Sequence, residues 1–330
     1  MPPTAAAAAG AVCISSSAVL MRLAATSASI TALGRCAFAL PVLGTLALLE
    51  RRRGAPPMPS RSRWVARLAG VFLAADLIMW SHTITAIGAG LGTVVGNLEV
   101  LVISLLAWLV LGERPRRSLV LASPVMLAGL ALVGGLAEVG GSRAYGTDPA
   151  LGVVYGVGVA ILYAIYILML RQATSSAGPG PAAAPGTRAA VAAPLFEATV
   201  GATAGSVVLG FALRDFHLGP AWPTLGWLAL LALTSQVVGW LLITVSMPRL
   251  AAGMIGALLL IQPAGSVALS YVILGERPSA LQLAGVVLVL TGVLVAVSAR
   301  APETAYSRRT TRIIRQASGA STGTSVSKSP

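Results

Sequence analysis

Four polar residues of this sequence stand midway along long apolar runs: Asp76, Glu99, Gln236 and Gln262. A helix rises 1.5 Å per residue, so Asp76, some twelve residues beyond Trp64, lies roughly 15–18 Å into its run. A charged group at the centre of a hydrocarbon layer costs on the order of 2.5–3.5 kcal/mol, and such groups face a cavity or a partner. A carboxylate at that depth can hold a cation, and it can exchange that cation for a proton. Two such carboxylates, with no obvious buried lysine, suit a cationic or zwitterionic solute. The two amides can line the same site, or they can hydrogen-bond between helices for about 0.6 kcal/mol each.

Other side chains extend this constellation. Trp80 follows Asp76 by one helical turn and shares its face, and Trp240 stands in the same relation to Gln236. A tryptophan wall offers a π face to a cation, although packing or interface anchoring explains either residue as well. His82 lies about 240° around the helix from Asp76, which disfavours a simple proton relay between them. It remains, with Asp76 and Glu99, a candidate for proton coupling, because an imidazole titrating near pH 6.5 can sense external pH. Asn97 and Glu99 are two residues apart and point to nearly opposite sides of a continuous helix. Thr93, Ser104 and Trp108 share the Asn97 side, and Gly92 and Gly96 share the other. One of the two sides is expected to face a cavity, and the spacing does not say which.

The elements that must position these residues are membrane-spanning helices. Of 330 residues, 56% are hydrophobic and only 10% charged, where a soluble domain carries about 25% charged residues. The mean hydropathy is +0.85. Apolar runs near 20 residues predict ten helices, over 5–23, 30–49, 64–87, 91–111, 119–136, 151–170, 190–213, 225–247, 251–274 and 281–298. Strand-like alternation is absent, which argues against a barrel. Residues 2–21 hold no lysine or arginine, so the first helix reads as retained rather than as a signal peptide. The net charge of +13 does not indicate a nucleic-acid partner, because the arginines sit in the loops between apolar runs. Cys13 and Cys36 fall inside helices without ligand spacing and read as small apolar residues. The Gly/Pro/Ala-rich stretch 175–186 reads as a flexible loop. The basic, Ser/Thr-rich residues 299–330 read as a disordered cytoplasmic tail.

The chain is also a duplication. Leu111-Gly112-Glu113-Arg114-Pro115 recurs 163 positions later as Leu274-Gly275-Glu276-Arg277-Pro278. Gly129 matches Gly292 and Trp64 matches Trp227 at the same offset, while Asp76–Trp80 aligns with Gln236–Trp240 at 160. The expected organisation is a first repeat over 1–136, a linker over 137–149 and a second repeat over 150–298. Five helices per repeat is an odd number, so the second repeat must enter the membrane in the opposite sense. With both termini inside, eighteen basic residues fall on the inner side and three on the outer. An inverted repeat of this kind is the architecture of alternating-access transporters, which bind solute at mid-membrane. The doubled Glu-Arg pairs lie at opposite surfaces and read as structural, pairing locally beside a proline that starts the next helix. Arg35 and Glu197 occupy equivalent places in the two repeats, where an ion pair between them is conceivable.

Two five-helix units, each closing with an apolar run, Leu-Gly-Glu-Arg-Pro and a glycine-containing last helix, resemble the EamA domains of the drug/metabolite transporter superfamily. The resemblance covers the chain up to residue 298. It implies an all-α integral membrane protein of two inverted EamA repeats, with a central cavity lined by helices 3, 4, 8 and 9. It adds Tyr163, within Leu162-Tyr163-Ala164-Ile165-Tyr166, to the expected substrate-binding set of Asp76, Trp80, Asn97, Glu99, Gln236, Trp240 and Gln262. Pro263 is the expected proline of helix 9, whereas Val100 stands at the equivalent place in helix 4. The expected activity is movement of a small metabolite (an amino acid, amine or related solute) across a bacterial inner membrane, as export and with protons as a coupling ion. Uptake is the first alternative; an integral membrane enzyme acting on lipid-linked substrates is one of another class, and a non-transporting scaffold a third. No catalytic constellation, P-loop, metal-ligand spacing or cofactor motif emerges. The fused repeat suits a monomer or a homodimer.

Overall fold

A computed structural model describes residues 2–112, 115, 117–138, 144–175, 192–216, 222–246, 250 and 252–298. Glu113, Arg114, the glycine- and proline-rich loop and the basic tail lie outside the described residues. Among the described residues every regular element is helical. Nine of the helices are long and apolar enough to cross a bilayer, and a tenth apolar helix has 17 residues.

The first span is α1 (Pro3–Ser15) and α2 (Ser17–Ala24). Its interruption falls in the serine triplet, where the Ser15 and Ser16 hydroxyls bond back to the carbonyls of Val12 and Cys13, both at 2.7 Å. Such back-bonding competes with the helical ladder and bends it. The second and third spans are α3 (Ala28–Arg52) and α4 (Ser60–Ile87). Ser27 caps α3 by accepting the Ile30 N–H, and Arg51 and Arg52 lie in its last turn, where positive charge meets the negative end of the helix dipole.

The fourth span is divided into α5 (Ala89–Gly96) and α6 (Glu99–Leu111). The fifth is α7 (Arg117–Val133), the sixth α8 (Pro149–Ser175) and the seventh α9 (Ala192–Ala212). The eighth winds as α10 (Thr224–Leu231), a π-helical stretch (Ala232–Gly239) and α11 (Trp240–Ser246). The ninth breaks between α12 (Ala252–Leu259) and α13 (Ile261–Leu269) and ends in a π turn, Ser270–Leu274. The tenth is α14 (Ala280–Ser298).

Four of these spans, the first, fourth, eighth and ninth, therefore depart from the continuous helices read from hydropathy. An apolar pattern reports what lipid and neighbours will accept, and it does not report whether the backbone ladder is continuous. The fourth span breaks at Asn97–Leu98 although Val100 replaces the proline found at Pro263. Turn-type bonds tighten the chain there, Asn97 N–H to Val94 O and Leu98 N–H to Val95 O, both at 3.1 Å. The Asn97 side-chain amide donates to the Thr93 carbonyl at 3.0 Å, so a polar side chain supplies the bond that a continuous helix would have made.

Packing runs mainly between the halves. The α4 helix packs on α8 and α9, α3 on α9, α6 on α8, α1 on α11 and α13, and α7 on α14. The crossing of α4 and α9 requires glycine on both sides. A Cβ at Gly70 would stand 1.9 Å from the Ala198 carbonyl oxygen, and one at Gly201 would stand 1.9 Å from that of Arg67. Small residues of this kind let membrane helices approach at backbone distance.

Candidate functional site

A cavity of about 260 Å³ opens where the breaks in the fourth and ninth spans meet the π-helical stretch of the eighth. That coincidence has a physical basis. Irregular backbone is tolerated at membrane depth only where it lines a cavity or is buried in protein, and discontinuous helices present polar groups and dipole ends to a solute. Wide helical turns also recur at functional sites.

All eight side chains expected to line a central site border this cavity: Asp76 and Trp80 from α4, Asn97 and Glu99 from the fourth-span break, Tyr163 from α8, Gln236 and Trp240 from the eighth span, and Gln262 from α13. The expectation that only one of Asn97 and Glu99 faces inward is corrected. Both line the cavity, because the helix breaks between them and the 100° step per residue no longer applies across the break. Glu99 lies in the first turn of α6, where the dipole favours negative charge.

His82 does not join this group. It is exposed on α4, with its ring 5.6 Å from that of Tyr155.

A cation stands in the cavity outside the set expected from the sequence. Arg35 of α3 is only 7% exposed and lines the same cavity. Its Nε donates to Gln236 Oε1 at 3.0 Å, and its terminal nitrogens reach the hydroxyls of Ser17 at 3.4 Å and Ser235 at 3.5 Å. Its guanidinium carbon lies 5.8 Å from the centre of the Trp80 ring. The cation on that π face is thus the chain's own. Every hydrogen-bond partner of Arg35 here is neutral, and it makes no ion pair among the described residues. The site is therefore not a purely acidic one.

Asp76 completes the pattern. It is 5% exposed, and its Oδ1 accepts no hydrogen bond from the described residues. A buried polar atom left in this state is costly and points to a function. The conceivable Arg35–Glu197 pair is not formed. Glu197 instead accepts from Arg63 Nε at 3.0 Å and Arg67 Nε at 2.6 Å near the ends of α4 and α9. Tyr166 is a second cavity residue not anticipated. The signal for Arg35 was the one used for Asp76: an ionisable residue within an apolar run, with no opposite charge one turn away.

The second Glu-Arg pair is structural, as expected, but its glutamate bonds across the halves and forms no ion pair with Arg277 among the described residues. Glu276 is 1% exposed, and its carboxylate accepts the N–H groups of Ala89 at 2.8 Å and Gly90 at 3.1 Å. It caps the N-terminus of α5, in the other half of the chain. Gly88, at φ +97°, makes the turn that aims these N–H groups at the carboxylate.

These features define a class: an all-α, multi-pass membrane protein with a cavity lined by ionisable side chains from several spans. The chain belongs to the EamA-like transporter family, whose model matches residues 3–135 and again 150–298. It is also similar to a chain in a solved crystal structure of a protein, with a TM-score of 0.57 and 17% identity over 93% of this chain and 98% of that one. That likeness concerns the fold. No curated protein matches the chain.

Proposed function

We propose that this transporter moves a small zwitterionic metabolite of amino-acid type by alternating access, outward across a bacterial inner membrane and in exchange for protons. One observation carries the reading. A guanidinium without an ion pair and a carboxylate with an open acceptor, Arg35 and Asp76, share one cavity. A solute bearing both a carboxylate and an ammonium group would satisfy the two at once, and Glu99 supplies a second acceptor. Charge-assisted hydrogen bonds of this kind are the strong ones. At about 260 Å³ the cavity lies just under the roughly 300–1,000 Å³ of drug-sized pockets, which favours a small solute.

Asp76 and Glu99 would carry the coupling proton, released when the ammonium group binds. The chain would act without chemical change to its solute. One chain contains every cavity residue named above, so a monomer suffices. Both termini face the cytoplasm in this reading, as the arginine distribution requires.

Counterflow in proteoliposomes tests the proposal, with labelled amino acids, amines and nucleosides and an imposed pH gradient. A zwitterion should exchange, and Asp76→Asn should retain exchange while losing acceleration by the gradient. Gradient-driven movement that survives in both Asp76→Asn and Glu99→Gln would remove the coupling assignment.

A further inference from the structure

A second crevice, of about 300 Å³, lies where α3 ends, α4 begins and α9 begins. Leu48, Met58 and Phe196 form apolar walls, and Arg51 and Arg63 border it. Arg51, Arg52, Arg53 and Arg61 are exposed on the adjoining loop and helix ends and make no ion pair among the described residues. Two carboxylates, Glu50 and Glu197, also line the crevice, and both are already engaged. Glu50 accepts the Ala192 N–H at 2.9 Å at the start of α9, and Glu197 is held by Arg63 and Arg67.

The same end of the bundle is built to sit at a membrane surface. Trp64 is 69% exposed, with the Arg67 guanidinium 5.5 Å from its ring centre. Tryptophan and arginine at this level are the residues of the lipid headgroup zone. Leu48 and Leu68, each about half exposed, continue the apolar surface outward toward the acyl chains.

We infer that this crevice is a binding site for an anionic phospholipid, with the headgroup phosphate on Arg51 and Arg63 and the upper acyl chain against Leu48 and Phe196. Charge and shape select this occupant together. A zwitterionic lipid offers no net charge to the arginine cluster, and a free phosphate ester has nothing to lay on the apolar walls. Each basic residue near an anionic surface contributes about 1 kcal/mol, or roughly fivefold in affinity.

Native mass spectrometry of the full chain tests the site, using phosphatidylglycerol and phosphatidylcholine of equal chain length, with glycerol phosphate as a competitor. Phosphatidylglycerol should remain bound at concentrations where phosphatidylcholine does not, and it should raise the melting temperature in detergent. Arg51→Gln, which breaks no ion pair, should weaken retention by about fivefold on the same scale. Gly44→Leu should also expel the lipid, because even a Cβ there meets the Phe196 ring at 3.1 Å. Glycerol phosphate should not compete at matched concentration. Equal retention of the two lipids, wild-type retention by both variants, or displacement by glycerol phosphate would each overturn the assignment.

Discussion

Arg35 changes the chemistry assigned to the cavity. Two carboxylates suit a cationic or a zwitterionic solute, and in the proposed reading the guanidinium beside them favours the molecule carrying both charges. The guanidinium is held in place by neutral groups, Gln236, Ser17 and Ser235, so its charge remains available to a ligand. Arg35→Gln keeps a side chain able to hydrogen-bond but removes the charge. A hydrogen bond to a charged group is worth about 1.5–3 kcal/mol, so the variant should bind an amino acid at least about tenfold more weakly. The decarboxylated amine of the same solute should bind it as well as it binds the wild type. Competition counterflow with the acid and its amine measures both, and equal losses for the two would place the guanidinium away from the carboxylate. His82 lies apart from these residues. Its exposure and its contact with Tyr155 separate it from the cavity.

At the scale of the element, the half-helix α5 joins two features that lie far apart in sequence. Its N-terminus is capped by Glu276, and its C-terminus ends at the Asn97 break, where the cavity begins. Glu276→Ala leaves two buried N–H groups without partners, at a cost of roughly 1–3 kcal/mol each. Thermal melting in detergent should fall clearly for Glu276→Ala and less for Glu276→Gln, which keeps one acceptor oxygen. An unchanged melting temperature in Glu276→Ala would show that the cap contributes nothing. The break itself was concealed in the sequence. Proline marks the ninth span, but the fourth breaks without one, through turn-type hydrogen bonds and the Asn97 amide. Only the packed cavity determines that these are better partners than a continued ladder.

The whole molecule is two five-span units packed chiefly against each other. In the proposed reading five crossings reverse the second unit, which would put Arg53 and Arg277 on opposite sides of the membrane. Single cysteines probe that arrangement directly. After Cys13 and Cys36 are replaced by serine, a membrane-impermeant maleimide should label Arg277→Cys in intact cells and Arg53→Cys only after the cells are permeabilised. Labelling of both from one side would remove the reversal and, with it, alternating access by exchange of the two halves.

Much of this was determined by the sequence alone. Composition required a bilayer, apolar run lengths required about ten spans, and the repeated pentapeptide identified the duplication and the family. The cost of polar groups in hydrocarbon was enough to single out Asp76, Glu99, Gln236 and Gln262, because that cost does not depend on which neighbours pack nearby. Tertiary structure alone decided three other matters: that Arg35 enters the same cavity, that Asn97 and Glu99 both face it, and that Glu276 caps a helix in the opposite half. Each depends on which segments distant in sequence come within hydrogen-bond reach, and periodicity along one helix carries no information about the helix across from it.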